Sequence, residues 1–412
     1  MIHRYQKKGL NFVLDVNSGA VHLLDDISYA VSGLIDENMT EKCPESVVEA
    51  LPQYAADDVR EAYGELYELK KAGQLFAEDD YIDVSRYIPV GAPVKALCLH
   101  VAHDCNLRCK YCFASTGDFG QGRKIMPPEV AKKAIDFVIA RSGKRRNIEV
   151  DFFGGEPLMA WDTVTQTVDY ARSIEEQHGK KFRFTITTNG LLLDEDKRRY
   201  INENMDNCVL SLDGRREVND EFRKTVAGTG SYDTIVPKFK ALVDERDPNL
   251  DYYARGTFTS HNLDFAEDVL SIADAGFDRL SVEPVTADPG CGYDLTEDDL
   301  PKIEAEYDRL TDIMLERKKE GKPFTFFHFM VDLDQGPCVV KRLRGCGAGL
   351  LLNGRGSLSG FTRFCGDIRL LSFFLRGCLC GCWLRFSGCL RGCGCRASGR
   401  LLGLGRAVRP RA

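Results

Sequence analysis

The chain has 412 residues, 43% of them hydrophobic and 28% charged, with a formal net charge of −7. That length allows two or three domains around a large core, and the composition excludes a disordered or fibrous chain. The first eight residues lack the apolar centre of a signal peptide, no apolar run is long enough to span a bilayer, and the acidic balance gives no reason to expect nucleic-acid binding. The expectation is a cytoplasmic protein with no membrane and no nucleic-acid partner. In that setting sixteen cysteines point to metal or redox chemistry rather than to disulfides. The charge is unevenly spread. Residues 350–412 carry eleven Arg, one Asp and neither Lys nor Glu, a net +10, which leaves −17 on residues 1–349.

Residues 1–80 read as a small independent unit. Segments 11–16 and 20–24 have strand character and are joined by Asn17, Ser18 and Gly19, a turn signal. Helical patterns follow at 26–35, 44–51 and 57–72, and 74–77 reads as a closing strand. A strand pair with three helices is winged-helix-like. Such modules commonly bind DNA, yet the longest helix here contains Asp57, Asp58, Glu61, Glu65 and Glu68, the wrong sign for a recognition helix. Residues 81–93 read as a linker.

From 94 to 320 strands and helices alternate. Strands are expected at 94–102, 148–153, 182–188, 208–212, 252–259 and 279–285, and helices at 128–141, 161–177, 195–204, 232–245, 264–275 and 297–319. Six βα units imply a parallel sheet, and six are too few for a closed eight-stranded barrel. The expected fold class is α/β, an open partial (β/α)6 barrel with its site at the C-terminal strand ends.

After the first of these strands Cys105, Cys109 and Cys112 stand at C-x3-C-x2-C spacing, with Tyr111 before the last. The same spacing would place three thiols on one helical face, where free Cys is a common core residue. Here polar Asn106, Arg108 and Lys110 interleave the cysteines, and Gly117, Gly120 and Gly122 follow, which reads as a loop at a strand end. Zinc sites favour paired C-x2-C hooks or added His. Three thiolates can instead hold three irons of a [4Fe–4S] cube and leave the fourth open to a small molecule. Further polar motifs close the later strands: Gly154, Gly155, Glu156 and Pro157; Thr188, Asn189 and Gly190; Ser211 and Asp213 followed by Arg223; and Glu283 before Pro284.

In this order the motifs resemble those of radical S-adenosylmethionine (SAM) enzymes over about residues 94–290. The resemblance implies that Cys105, Cys109 and Cys112 ligate the [4Fe–4S] cluster. It implies that Gly154, Gly155, Glu156, Pro157, Thr188, Asn189, Ser211, Asp213, Arg223 and Glu283 contact SAM. Within that set Glu156 would meet the amino group, and Ser211 and Arg223 the ribose and carboxylate. The activity implied is reductive cleavage of SAM to a 5′-deoxyadenosyl radical that takes hydrogen from a substrate, fed by a reductant such as ferredoxin or flavodoxin. The cofactors carry the chemistry and the protein orients them.

Beyond Gly349 the composition breaks. The last 63 residues hold twelve Gly and seven Cys and lack amphipathic period, a bias expected of GC-rich coding DNA read in a wrong frame. The expectation is an anomalous, disrupted Cys-rich region at 350–412 without a native fold. Residues 321–349 resemble the start of a SPASM-type auxiliary-cluster region. Cys338, Cys346 and Cys365 are its candidate ligands for auxiliary [4Fe–4S] clusters; the later cysteines do not continue the family's spacing. Placed before a radical SAM core, residues 1–80 resemble the recognition element of enzymes that modify ribosomally made peptides, where an exposed strand edge binds a leader. The whole is most similar to the maturases of six-cysteine (SCIFF) peptides. That implies a ribosomal precursor peptide, leader plus Cys-rich core, as partner and thioether bonds from Cys sulfur to an acceptor α-carbon as product. The alternatives are an anaerobic sulfatase-maturating type, which forms formylglycine, and a leader-binding protein that has lost catalysis.

Overall fold

The N-terminal segment forms an antiparallel meander of three strands, β1 (Ile2–Lys7), β2 (Leu10–Asp15) and β3 (Val21–Leu24). A two-residue turn at Lys8 and Gly9 joins β1 to β2, with Lys7 opposite Leu10. The Asp15 carboxylate fixes the second turn by accepting the amides of Asn17 and Ser18 at 3.1 and 2.7 Å. Helices α1 (Asp26–Val31), α2 (Glu45–Glu49) and α3 (Ala56–Lys71) follow, and Asp25 caps the first through the Ser28 amide. Val13, Val31, Val59, Tyr63, Leu66 and Leu75 form the core of this unit. The third strand of the sheet is β1, which the sequence pattern does not reveal because its residues are polar and half-exposed. Residues 74–77 are not the closing strand expected there. Phe76 takes a positive φ of 50°, which breaks the extended run. Leu75 plugs the core instead, and Gln74 O meets His22 Nε2 at 2.8 Å.

This is a computed structural model that describes residues 1–78 and 93–330, together with the backbone at 349–352, 358–360 and 406–407. The chain divides into two compact units, the second centred on residues 93–329. The linker expected at 81–93 therefore lies almost wholly outside the described residues.

In the second unit β4 (Ala96–His103), β6 (Asn147–Gly154), β7 (Lys181–Thr188), β8 (Asn207–Ser211), β9 (Asp251–Phe258) and β10 (Arg279–Pro284) pair in chain order, every pair parallel. The short β5 (Lys124–Ile125) lies antiparallel to the end of β4, and β11 (Thr325–Phe326) pairs with β10. Between them run α4 (Pro128–Arg141), α5 (Trp161–His178), α6 (Glu195–Asn204), α7 (Arg216–Phe222), α8 (Tyr232–Asp244), α9 (Phe265–Asp274) and α10 (Leu300–Lys319). All six expected strands are present: in β6 and β7 buried residues alternate with more exposed ones, while β4, β8 and β10 carry longer buried runs, and both patterns are legible in sequence. Their fully buried side chains, among them Leu99, Val150, Phe152, Phe184, Ile186, Leu210 and Val282, build one core with the helices. The chain order of neighbours brings every C-terminal strand end to one rim, where the motifs lie.

Further strands come from the anomalous region. Backbone β12 (Gly349–Leu352) lies parallel to β4, β13 (Leu358–Gly360) pairs antiparallel with β12, and β14 (Arg406–Ala407) pairs parallel with β3. Cys338, Cys346 and Cys365 lie outside the described residues, as do the remaining cysteines of the tail.

Candidate functional site

The loop after β4 carries the three cysteines. It is fastened on one side by α7 and the residues after it: Lys110 N donates to Phe222 O at 3.0 Å and Arg108 N to Lys224 O at 2.7 Å. Leu107 and Thr225 form an isolated antiparallel bridge in the same seam. On its other side the loop meets the end of β6. Gly155 N donates to Ala102 O and Glu156 N to Asp104 O, at 2.7 and 2.8 Å. A Cβ on Gly155 would stand 2.1 Å from Asp104 O, so only glycine permits this approach. Gly117 closes the loop with equal tightness, since a Cβ there would meet Cys105 Cβ at 2.6 Å.

Two polar networks converge on these thiols. In the first, Glu156 is 1% exposed. It accepts the Leu158 amide at 3.0 Å, the Thr188 hydroxyl at 2.7 Å and the Asn189 amide at 2.8 Å. Asn189 Nδ2 in turn reaches Asn106 Oδ1 at 2.8 Å and Cys105 Sγ at 3.5 Å, and the Leu107 amide points to the same sulfur at 3.4 Å. Burial pushes Glu156 up to about 7, although its three hydrogen bonds oppose the shift. A carboxylate offers about four lone-pair sites, so three donors leave one acceptor position.

In the second network Asp213, fully buried, accepts the Tyr111 hydroxyl at 2.5 Å, Arg223 Nη2 at 3.0 Å and the Thr257 amide at 3.0 Å. Burial raises Asp213 despite its guanidinium partner. Burial alone would lower Arg223, but Asp213, Tyr111 and Cys109 around it hold it far above its ordinary range, as a fixed cation. Burial likewise pushes Cys105 and Cys109 up to about 12 and raises Cys112. Without a metal these are protonated thiols; binding iron requires their thiolates, so loading releases protons.

The donor set fits an iron–sulfur cluster. It offers three thiols in one tight loop, two N–H groups directed at Cys105 Sγ and a buried cation beside Cys109. Among the described residues no three His, Cys, Asp or Glu side chains are gathered as for a single ion. A cubane takes each thiolate on a different iron, so its ligands stand further apart than those of one ion.

The sequence-predicted residues thus fall into separate groups. Glu156, Thr188 and Asn189 join Cys105 in one network, and Asp213 and Arg223 adjoin Cys109 in the other. Gly154 and Gly155 form the β6 turn, and Pro157 opens a short 3-10 turn over Pro157–Ala160. Ser211 ends β8. Glu283, 2% exposed, forms an ion pair with Arg255 at 2.8 Å and lies 3.3 Å from Ser281 Oγ. Sequence reasoning missed Arg255 and the role of Tyr111 as a partner of Asp213. Arg255 alternates inward within a strand that was itself recognised, which was the available signal.

Residues 99–253 match the Radical SAM superfamily. Among relatives, the chain is 30% identical over 197 residues to the radical SAM cyclopropyl synthase TigE of Paramaledivibacter caminithermalis, covering 44% of this chain and 40% of that protein. It is 29% identical over 143 residues to a cysteine-type anaerobic sulfatase-maturating enzyme of Clostridium novyi, covering 34% of this chain and 37% of the other. The matched part thus spans less than half the length of these relatives. Among solved structures, native anSMEcpe with bound AdoMet superposes with a TM-score of 0.55 at 20% identity, over 65% of this chain and 74% of that one. Streptococcus suis SuiB bound to precursor peptide SuiA gives 0.50 at 15% identity, over 91% and 88%. At such identities these two likenesses bear on the fold. The parallel sheet, the three-cysteine loop at its rim and the superfamily match agree: the chain carries a radical SAM domain, of the superfamily that uses a [4Fe–4S] cluster and SAM.

Proposed function

We propose that this chain is a radical SAM enzyme that modifies a ribosomally made, Cys-rich peptide by forming thioether bonds from Cys sulfur to an acceptor α-carbon. The observation that carries the cofactor half is the hydrogen-bonded chain from Cys105 through Asn189 to Glu156, which links the thiol loop to the ends of β6 and β7.

Cluster and SAM, when bound, supply hydrogen-atom abstraction from a carbon centre. The chain's own residues do the rest. Cys105, Cys109 and Cys112 hold the cluster. Asn189 and the Leu107 amide donate to the Cys105 sulfur, and the Arg223 cation favours the thiolate form of Cys109. Glu156 keeps an acceptor site for the SAM ammonium while fixing the turn that presents the Gly154 and Gly155 backbone. Arg223 offers its charge to the SAM carboxylate, with Asp213 and Tyr111 holding it in place.

The substrate half rests on the first unit. Its sheet has the order β1-β2-β3-β14, and the β3 edge takes up the two-residue β14, so that edge is competent to accept an added strand. SuiB, a fold neighbour, is a protein with a bound precursor peptide. The test is incubation of the chain with SAM, a low-potential reductant and a Cys-rich precursor. Loss of two hydrogens per cross-link, dependent on the leader, is the expected mass change. Turnover of SAM with no change in peptide mass would overturn the thioether reading and leave the cofactor reading standing.

The similarity to a sulfatase-maturating enzyme supports a second reading, oxidation of a Cys or Ser side chain to formylglycine. It predicts modification of a short sulfatase peptide without any leader.

A further inference from the structure

His261 stands on the turn after β9, 41% exposed at its side chain, and both of its ring nitrogens are engaged. Nδ1 lies 2.8 Å from Glu221 Oε1 at the end of α7, and Nε2 lies 2.7 Å from Gly292 O in the loop after β10. Both partners are acceptors. A carbonyl can only accept, and burial alone would raise Glu221 but hydrogen bonds from His261 and Lys110 bring it below its usual range, so it is a carboxylate. A neutral imidazole has one N–H and cannot donate twice; an imidazolium can.

The two groups so joined both touch the cysteine loop. Glu221 pairs with Lys110 Nζ at 3.2 Å, and Tyr293 OH donates to Lys110 O at 2.8 Å, between Cys109 and Cys112 in sequence. Tyr293 O also accepts the Ser260 amide. Beneath the contact lies the ring of Phe222, 1% exposed, against Tyr111, His261 and Tyr293 and under the Lys110 ammonium. Within the β10 loop Asp294 is committed to the Gly290 and Gly292 amides.

We propose that His261, as an imidazolium, is a positioning residue that ties the 288–294 loop to α7 and thereby braces the cysteine loop at Lys110, and that loss of one ring proton to solvent releases the tie. The charged groups facing it are Glu221 from α7, which favours the cation, and Lys110 from the cysteine loop, which opposes it. The net balance raises His261 above its ordinary 6.5, through Glu221 first and Gly292 O second. Sign follows directly. The tie is present below pH 6.5 and is lost as pH rises through the raised value. This holds for the chain whatever its substrate, so its failure would leave the proposed function untouched.

The test is hydrogen exchange of the full-length protein across that pH range, corrected for the intrinsic pH dependence of exchange, alongside NMR titration of labelled His side chains assigned with His261→Gln. In the unaltered chain, protection of 288–294 should fall by roughly tenfold, about one net hydrogen bond, as His261 deprotonates above pH 6.5. His261→Gln should show the low protection at every pH, and Glu221→Gln should shift the His261 midpoint downward. A His261 that titrates at or below 6.5 in the unaltered chain, or loop protection that stays flat through its titration, overturns the proposal even if the variants fail to fold.

Discussion

Single residues around the cysteines act mostly by holding one another. Glu156 illustrates how much of that was legible. Its place after a strand, beside two glycines, marks it from sequence as a site residue, but its three donors come from Leu158, Thr188 and Asn189, and contacts up to 33 residues away leave no local pattern. Its burial has a measurable consequence. The folded-state value of about 7 stands above the ordinary 4.5, so between these the native protein keeps a proton that the unfolded chain releases. The stability linked to that proton is fully present below pH 4.5 and is lost as pH rises through 7. In Glu156→Gln the slope disappears. Subtracting its unfolding free energy from that of the unaltered chain should reveal a decline on the order of 3 kcal/mol across the window, from the pKa difference at about 1.4 kcal/mol per unit. Parallel pH profiles for the two proteins, measured by denaturant unfolding, would contradict the burial argument.

At the scale of elements, the six parallel strands and their helices were readable because the strands show either alternation, as in β6 and β7, or short buried runs, as in β8 and β10, and amphipathic helices give a 3.6-residue period. Helix α7 was not. It has only seven residues, Arg216–Phe222, of which Val218, Asn219 and Phe222 are buried, too few to establish a period. Yet α7 and the residues after it form the seam that fixes the cysteine loop, through the Phe222 and Lys224 carbonyls, which accept the Lys110 and Arg108 amides, and through the Phe222 ring. Strand β1 escaped notice for a related reason: an edge strand with half-exposed polar residues lacks the alternation of a half-buried one. The importance of the seam is testable. Phe222→Ala removes a ring that is 1% exposed and should cost about 3–5 kcal/mol of stability. Because that ring underlies Tyr111 and Lys110, the variant should also retain less iron per chain after anaerobic reconstitution, measured by iron assay against the unaltered protein. Full iron retention together with the stability loss would show that the seam supports the fold without shaping the loop.

For the molecule as a whole, the two compact units suit different tasks: residues 1–78 carry a sheet edge and an acidic helix, and residues 93–329 carry the cysteine loop. The sequence changes pattern along the chain, strands and three helices first, strict strand–helix alternation afterwards. It also marked the compositional break at Gly349, and the candidate auxiliary ligands beyond residue 330 lie outside the described residues. If the first unit captures a leader, a chain lacking residues 1–78 should still cleave SAM without coupling to substrate, while modification of the precursor falls by tenfold or more, roughly the loss of a modest binding contribution. Equal modification by both chains, followed by mass spectrometry, would remove the leader-binding role.

The central claim is that three cysteines hold a cubane with one iron left for SAM, and electron paramagnetic resonance of the anaerobically reconstituted, reduced chain tests it most directly. The account predicts a [4Fe–4S] signal that changes on addition of SAM and is abolished by replacing Cys105, Cys109 and Cys112 with Ala. A chain that shows no cubane signal, or one indifferent to SAM, would contradict it.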